Sequence, residues 1–302
     1  MQKWGKKRGK QNYKCQKCGY SFQNKSREGK EASNQIKQVY HDYAVGRKTL
    51  EMICMELGIS IKTLQKAFDA HEPVLGEIVP PKHVVTFIMD ATFFSRRDGI
   101  LVFRANKKNI LWKEIQTEKV EHYRELIQMA YAADIKISAF VIDGKRGVLQ
   151  MLLRQFTGIP VQLCQFHQIQ TITHYLSKKP KLEAGKELRH LTLTLTKSSQ
   201  KTFTGDLGLW YERWKDFLNE KTLNPYTHRY YFTHKRLRSA HRSLRTNLPW
   251  LFTYLNFPEL NIPNTTNSCD GSFAHWKGRL MVHRGLRRDR RKKMINYLLE
   301  HS

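Results

Sequence analysis

Two apolar runs, each carrying an aspartate, restrict the fold of this chain more than any other feature. The first is HVVTFIMDATFF (His83–Phe94), with Asp90 near its end. The second is KISAFVIDGKRG (Lys136–Gly147), an apolar stretch that ends in Asp143. Their β-branched and aromatic content reads as strand. Between them, a turn at Asp98–Gly99 leads to the runs ILVFRAN and ILWKEIQ, and HYRELIQMAYAA (His122–Ala133) has helical spacing. A helix over Val148–Phe156 and the short strand PVQLC follow. The order is β-β-β-α-β-α-β, with an acid closing the first and fourth strands.

That is the element order of a ribonuclease-H-like fold, an α/β architecture with a mixed sheet flanked by helices. Its first and fourth strands are neighbours, so Asp90 and Asp143 would face one another. Two carboxylates that close repel unless a divalent cation lies between them, and burying them without one is costly. For either acid alone, ending a strand is the ordinary explanation. Both together point to a metal site.

The chain has 302 residues, enough for one large core and one or two small modules. Lys and Arg number 53 against 26 Asp and Glu, a formal net charge of +27. Such an excess repels itself and calls for an anionic partner. Nucleic acid leads, because phosphate neutralisation by Lys and Arg dominates affinity for it. No apolar run approaches the roughly 18 residues of a membrane span, and no basic amphipathic helix stands out, so no membrane partner is expected. The opening MQKWGKKRGKQNYKC has no apolar segment after its charges, unlike a secretory signal. Five cysteines, two of them in a Cys-x-x-Cys, do not make a disulfide framework. A reducing, cytoplasmic compartment is expected.

Residues 1–30 hold ten basic residues, one acid and the knuckle YKCQKCGYSF. Cys15 and Cys18, with Gly19 and Phe22 after them, have the form of half a zinc ribbon, two thiolates on a tight turn. A structural Zn²⁺ needs four ligands, and His41, the nearest later candidate, falls inside a helical pattern. The expectation is the second half of a ribbon whose first Cys-x-x-Cys is missing, as a late-starting reading frame would leave it. A redox pair or chance spacing is the alternative. Next, TLEMICMELGISIKTLQKAFDAH (Thr49–His71) has helix-turn-helix spacing, within a module assigned to residues 31–75. Leu50, Ile53, Cys54 and Leu57 mark one face, Gly58 permits the turn, Ser60 caps the second helix, and Leu64 and Phe68 mark its buried side. Lys62, Thr63, Gln65 and Lys66 would then face a major groove. An ordinary helical hairpin is the plainer reading.

At LCQFHQ (Leu163–Gln168) the chain resembles a known family. Cys164 and His167 are similar to the Cys-x-x-His signature of Mutator-like transposases, including their bacterial insertion-sequence relatives. TTNSCDG (Thr265–Gly271) resembles the Thr-x-Asn-x-x-Glu-Gly segment that carries the third catalytic carboxylate there. WKGRLMVHRGLRRDRRKKMINYLL is similar to the family's basic C-terminal helix. The resemblance implies that Asp90, Asp143 and Asp270 form a catalytic, metal-binding triad for two Mg²⁺ ions, with Mn²⁺ as substitute. It also implies that Cys164, His167 and Asn267 support the site. Asp143 follows Asp90 by 53 residues (143 − 90) and Asp270 follows by 127 more (270 − 143). The longer gap implies an all-helical insertion at residues 169–261, within a catalytic core formed by 82–168 and 262–302. One departure matters. The family usually has Glu where this chain has Asp270, and one methylene withdraws the carboxylate by about an ångström. Misplacement of that size can cost on the order of 100-fold in rate.

On this resemblance the chain is a DNA transposase that binds the terminal inverted repeats of an insertion sequence and cuts and joins double-stranded DNA. Lys145, Arg146, Arg236, Arg238, Lys277 and Arg279 are candidates to hold phosphates, and a homo-oligomer would bring two element ends together. The setting would be a bacterial or archaeal nucleoid. The competing readings are an inactive transposase-derived DNA-binding protein and a nuclease of the same fold that never joins strands.

Overall fold

The computed structural model of the chain describes residues 2–7, 10–23, 28–71 and 84–302, with the side chains of 7, 10, 22, 23 and 28–34 excepted. The end of the helix-turn-helix module at 72–75, the first residues of the strand run at 82–83 and the Phe22 side chain lie outside that description. The chain divides into two compact units, residues 1–75 with 278–301, and residues 76–277 with 302.

The first unit opens with an antiparallel sheet of β1 (Gln2–Lys7), β2 (Lys10–Lys14) and β3 (Ser21–Gln23). The Cys15–Cys18 turn joins β2 to β3, and Gly19 takes φ +71°, which favours glycine. Helices α1 (Glu28–Ala44), α2 (Leu50–Leu57) and α3 (Ile61–Ala70) follow. The Thr49 side chain accepts from Met52 N and caps α2; Gly58 ends it at φ +62°; Ser60 accepts from Thr63 N and caps α3. Leu64 and Phe68 are buried as expected, whereas Leu57 is 41% exposed, so the face of α2 that packs is narrower than its apolar spacing suggests. The residues from 278 complete this unit. Tyr40 stands edge-on to both Phe68 and Tyr297, and His283 Nε2 lies 2.9 Å from Tyr43 O. Arg290 donates twice to the Asp69 carboxylate at 2.7 Å.

The second unit is built on a five-stranded mixed sheet: β4 (Val85–Ser95), β5 (Asp98–Ala105), β6 (Lys108–Ile115), β7 (Ile137–Ile142) and β8 (Val161–Leu163), in the order β6-β5-β4-β7-β8. β4, β5 and β6 pair antiparallel; β4, β7 and β8 pair parallel. Val85, Phe87 and Met89 turn one way into the main core, with Phe140 and Ile142 of β7. Ile88, Ala139 and Val141 turn the other way, against Ile262. Helices α4 (Val120–Ala132) and α5 (Arg146–Gln155) are the connections flanking β7.

From α6 (Gln165–Leu176) the chain runs through α7 (Glu183–Leu193), α8 (Gln200–Asn219), a two-stranded hairpin of β9 (Lys221–Leu223) and β10 (Tyr230–Phe232), then α9 (Lys235–Leu251) and α10 (Thr253–Asn256). The resemblance implies an all-helical insertion, but the segment contains this hairpin. Asn224–Pro225 breaks the helical pattern, and the short KTL and YYF runs pair across the turn. Two further differences concern the C-terminal region. It forms two helices, α11 (Asn267–Val282) and α12 (Arg288–Glu300), separated at Gly285 with φ +81°. And residues 278–301, expected in the catalytic core, cluster with the N-terminal unit, because α12 buries Met294, Ile295, Leu298 and Leu299 in a unit whose other helices are α1–α3.

Glutamines join the insertion to the sheet. The buried Gln162 donates through Nε2 to Leu251 O and accepts from Tyr254 N. Gln165 donates to the same carbonyl, and Gln168 donates to Ser243 Oγ and accepts from Asn247 Nδ2. Each polar group inside this seam has its partner, as burial requires. Gln162→Leu fills nearly the same space but strands the Tyr254 N–H. It is expected to cost about 1–3 kcal/mol in urea unfolding, with an unchanged far-UV spectrum.

Candidate functional site

β4 and β7 are neighbours in parallel register, and their last paired residues are Met89 and Ile142. Asp90 and Asp143 are therefore the next residues on adjacent chains. Asp90 does not end its strand, as the sequence reading had it; β4 continues to Ser95 because β5 still pairs with it. Asp90 is buried, and its Oδ1 accepts from Ala91 N at 2.8 Å.

Cys164 follows β8. Its backbone N donates to Ile142 O at 2.7 Å, and its side chain caps α6 by accepting from His167 N at 3.4 Å. The same sulfur accepts from Thr266 N at 3.2 Å and from Thr266 Oγ1 at 3.4 Å. Thr266 lies one residue before α11, the helix whose first turn carries Asp270. The sulfur therefore ties the start of one helix to the start of another. Cys269, next to Asp270, is itself buried, and its Sγ reaches Ile88 O on β4 at 3.9 Å.

These ties bring together Asp90, His167 and Asp270, whose candidate ligand atoms all lie within 4.8 Å of one another. The sequence triad differs by one member. Asp143 is outside that group, although its charge helps to raise Asp90. The Asp143 carboxylate instead accepts from Lys145 N at 3.2 Å, and Glu118 lies close enough to act on it. His167 takes the third place because the Cys164 cap turns α6 into the site. Asp270 Oδ2 is buried without a hydrogen-bond partner, an orphaned acceptor that a cation would satisfy.

The electrostatics agree. Burial pushes Asp90 from 3.8 up to about 7, with the charges of Asp143 and Asp270 adding to it and His167 opposing. The Cys164 sulfur pushes His167 from 6.5 up to about 9, helped by Asp90 and Asp270. Burial alone would raise the Cys164 thiol, but the donors from His167 and Thr266 outweigh it and hold the thiol below its ordinary value. Burial and the Glu118 charge raise Asp143. Thr266 Oγ1 lies 3.1 Å from His167 Nδ1. If the single Thr266 proton goes to the sulfur, Nδ1 must supply its own, which leaves Nε2 for the carboxylates or an ion.

Two aspartates and an imidazole fit a divalent cation. The imidazole suits Mn²⁺ or Zn²⁺ better than Mg²⁺, for which oxygen donors alone are preferred. The fit at the knuckle is poorer. Cys15 accepts from Cys18 N and Lys17 N, which lowers its thiol pKa, but no group of three metal-ligating side chains includes Cys15 or Cys18 among the described residues. His41 is engaged with the Tyr297 hydroxyl at 3.2 Å.

The remaining sequence candidates are spread over both units. Asn267 is exposed; its neighbour Thr266 makes the bonds that support the site. Lys62, Thr63 and Lys66 are exposed on α3, but Gln65 is half-buried. Lys145 pairs with Glu118 at 3.1 Å and donates to its carbonyl at 2.7 Å, so it braces the loop before α4. Arg238 donates to Leu218 O and Asn219 Oδ1 with its guanidinium 3.6 Å over the Phe232 ring, a structural duty. Arg146, Arg236 and Lys277 are exposed, and Arg279 is half-buried. Sequence reasoning missed Glu118 and Thr266. A Glu two residues before a helix has no distinctive pattern, whereas Thr266 is the second residue of the TTNSCDG segment.

Comparison with models of known protein families and with curated proteins finds no match to this chain. No helix among the described residues is long and apolar enough to cross a membrane.

Two predictions follow from the charges. Asp90 is raised, so its contribution to stability is present below about 3.8 and lost as pH rises through about 7. Asp90→Asn is expected to exceed the wild type in EDTA at pH 8 by on the order of a few kcal/mol, and to lose the stabilisation that Mn²⁺ gives the wild type; urea unfolding reads both. His167 is also raised, so its contribution is present below 6.5 and lost as pH rises through about 9. Since a metal needs the neutral ring, Mn²⁺ affinity by calorimetry is expected to increase between pH 7 and 9. A flat profile would mean that His167 is not a ligand.

Proposed function

We propose that this chain is a DNA transposase with a ribonuclease-H-like catalytic domain, acting on phosphodiesters with a divalent cation. The observation that carries the reading is the meeting of Asp90, His167 and Asp270, with Asp143 in register beside Asp90. Asp270 is 180 residues from Asp90 (270 − 90) and comes from a helix rather than the sheet. The strand order, with two antiparallel pairings (β6–β5, β5–β4) and two parallel ones (β4–β7, β7–β8), supports that fold. A charge of +27 and exposed Lys62, Thr63 and Lys66 on α3 suit a duplex partner.

Asp90 and Asp270 would hold the cation, His167 Nε2 completing the donor set. A bound cation supplies positive charge where the phosphate becomes more negative in the transition state. The protein's own part is placement. Cys164 and Thr266 fix the His167 ring, and Cys269 keeps the first turn of α11 on β4. Water is the nucleophile for nicking: its oxygen bonds to phosphorus, the 3′ oxygen departs as a hydroxyl, and the phosphate remains on the 5′ side. For joining, that freed 3′ hydroxyl attacks a target phosphodiester and displaces its 3′ oxygen. The shorter reach of Asp270 favours a second reading, a DNA-binding relative without cutting activity.

Incubation of a duplex that carries the inverted repeat flanking the gene, with Mn²⁺ or Mg²⁺, separates the two. Nicking is expected, faster with Mn²⁺, and Asp90→Asn or Asp270→Asn is expected to lower it at least 100-fold with duplex binding retained. If wild type binds but does not cut while Asp270→Glu cuts, the second reading holds. If all of them bind and none cuts, the catalytic reading fails.

A further inference from the structure

The β9–β10 hairpin plays no part in the metal cluster, yet it is an unusual surface. From Lys221 to Pro258 the chain carries seven Lys and Arg and no Asp or Glu. Within that stretch Tyr226 is 92% exposed and Tyr230 is 70% exposed.

The tip is firmly built. Asn224 donates its backbone N–H to Arg229 O and accepts from His228 N. Its side-chain oxygen accepts from both Tyr226 N and Thr227 N. The base is anchored as well: Thr222 and Thr233 hydroxyls lie 2.8 Å apart, and Arg238 covers the inner ring, Phe232. Alternation along β10 puts Tyr230 on the same side as Phe232, but farther toward the tip and opposite Leu223. Lys235 lies over Tyr231 on the other side. Arg229 and Arg236 are exposed, and Arg242 continues an exposed stripe along α9.

We propose that this hairpin is a binding site for unpaired bases of a nucleic-acid strand. Tyr226 and Tyr230 are the stacking surfaces, and Arg229, Lys235, Arg236 and Arg242 hold the flanking phosphates. The chemistry decides the class of ligand. A cationic surface, whose adjacent acid Glu220 is engaged by His234 at 2.9 Å, selects a polyanion. A ring held out on a rigid turn offers its face, and a duplex presents base edges in its grooves with the base faces already stacked. Only an unpaired or unstacked base has a face to give. The site rests on the reading that nucleic acid is the partner, but not on the metal cluster being active.

The test uses the full chain in EDTA, so cutting cannot intervene. The probes are a fluorescent 12-nucleotide single strand containing 2-aminopurine and a 20-base-pair duplex. The variant Tyr226→Ala/Tyr230→Ala is expected to weaken single-strand binding at least tenfold and abolish 2-aminopurine quenching, while duplex affinity stays within about twofold. The Phe pair, which keeps the rings, is expected to behave as wild type. Equal single-strand affinity for wild type and the Ala pair would overturn the proposal, as would a parallel loss for both probes. A change from dimer to monomer in sedimentation, with single-strand binding kept, would also overturn it and assign the rings to self-association. Loss of nicking through Asp270 leaves all these readouts in place, so the two readings fail separately.

Discussion

The sulfur of Cys164 is the point on which the candidate site depends. Its backbone fixes the end of β8 to β7 beside Asp143, and its side chain gathers donors from α6 and from the residue before α11. A large, polarisable acceptor can serve several long hydrogen bonds at once, where an oxygen would reach only some of them. The bonds link segments about 100 residues apart, Cys164 to Thr266 being separated by 102. Asp270 is delivered to Asp90 as a consequence of that link. A thiol with no role in the chemistry can therefore be as necessary as the carboxylates.

The second constraint is electrostatic. A protein with a charge of +27 keeps three aspartates close together, Asp90 buried and Asp143 and Asp270 half-buried, with the charges of the latter two raising Asp90. Their counter-charge is His167, raised by the sulfur and the carboxylates together. The imidazolium and a divalent ion are alternative answers to the same repulsion. A metal-bound ring would have to be neutral, and Thr266 Oγ1, 3.1 Å from Nδ1, is the hydroxyl placed to orient it.

Much of this was legible from residue order. The five core strands, α4, α5, the Gly58 turn and the Ser60 cap all follow from local patterns, because period, turn and cap chemistry are local properties. The adjacency of Asp90 and Asp143 followed from topology. What sequence could not give was the third member of the cluster, since His167 reaches the group through a cap geometry and a long-range contact with Thr266. The hairpin was hidden for another reason: three-residue strands are too short to show a period, and the surrounding residues are helical. Residues 278–301 cluster with the N-terminal residues rather than with the sheet, a partnership that a basic helix does not show in sequence; its buried face, Met294 to Leu299, packs within the unit of α1–α3.

The glutamine seam also sets an order of events during synthesis. β8 is the last strand of its sheet, and its three residues are all buried. Part of what covers them comes late: Leu251 O meets Gln162 from 89 residues downstream, and Thr253 meets Val161 O from 92. At a translation rate of roughly 5–20 residues per second, that edge waits on the order of ten seconds for its cover. A nascent chain in that interval holds Asp90 and Asp143 but no α11. In that interval Asp270 has not yet joined Asp90 and His167, and the outer edge of the sheet lacks the cover that α9 and α10 later give it.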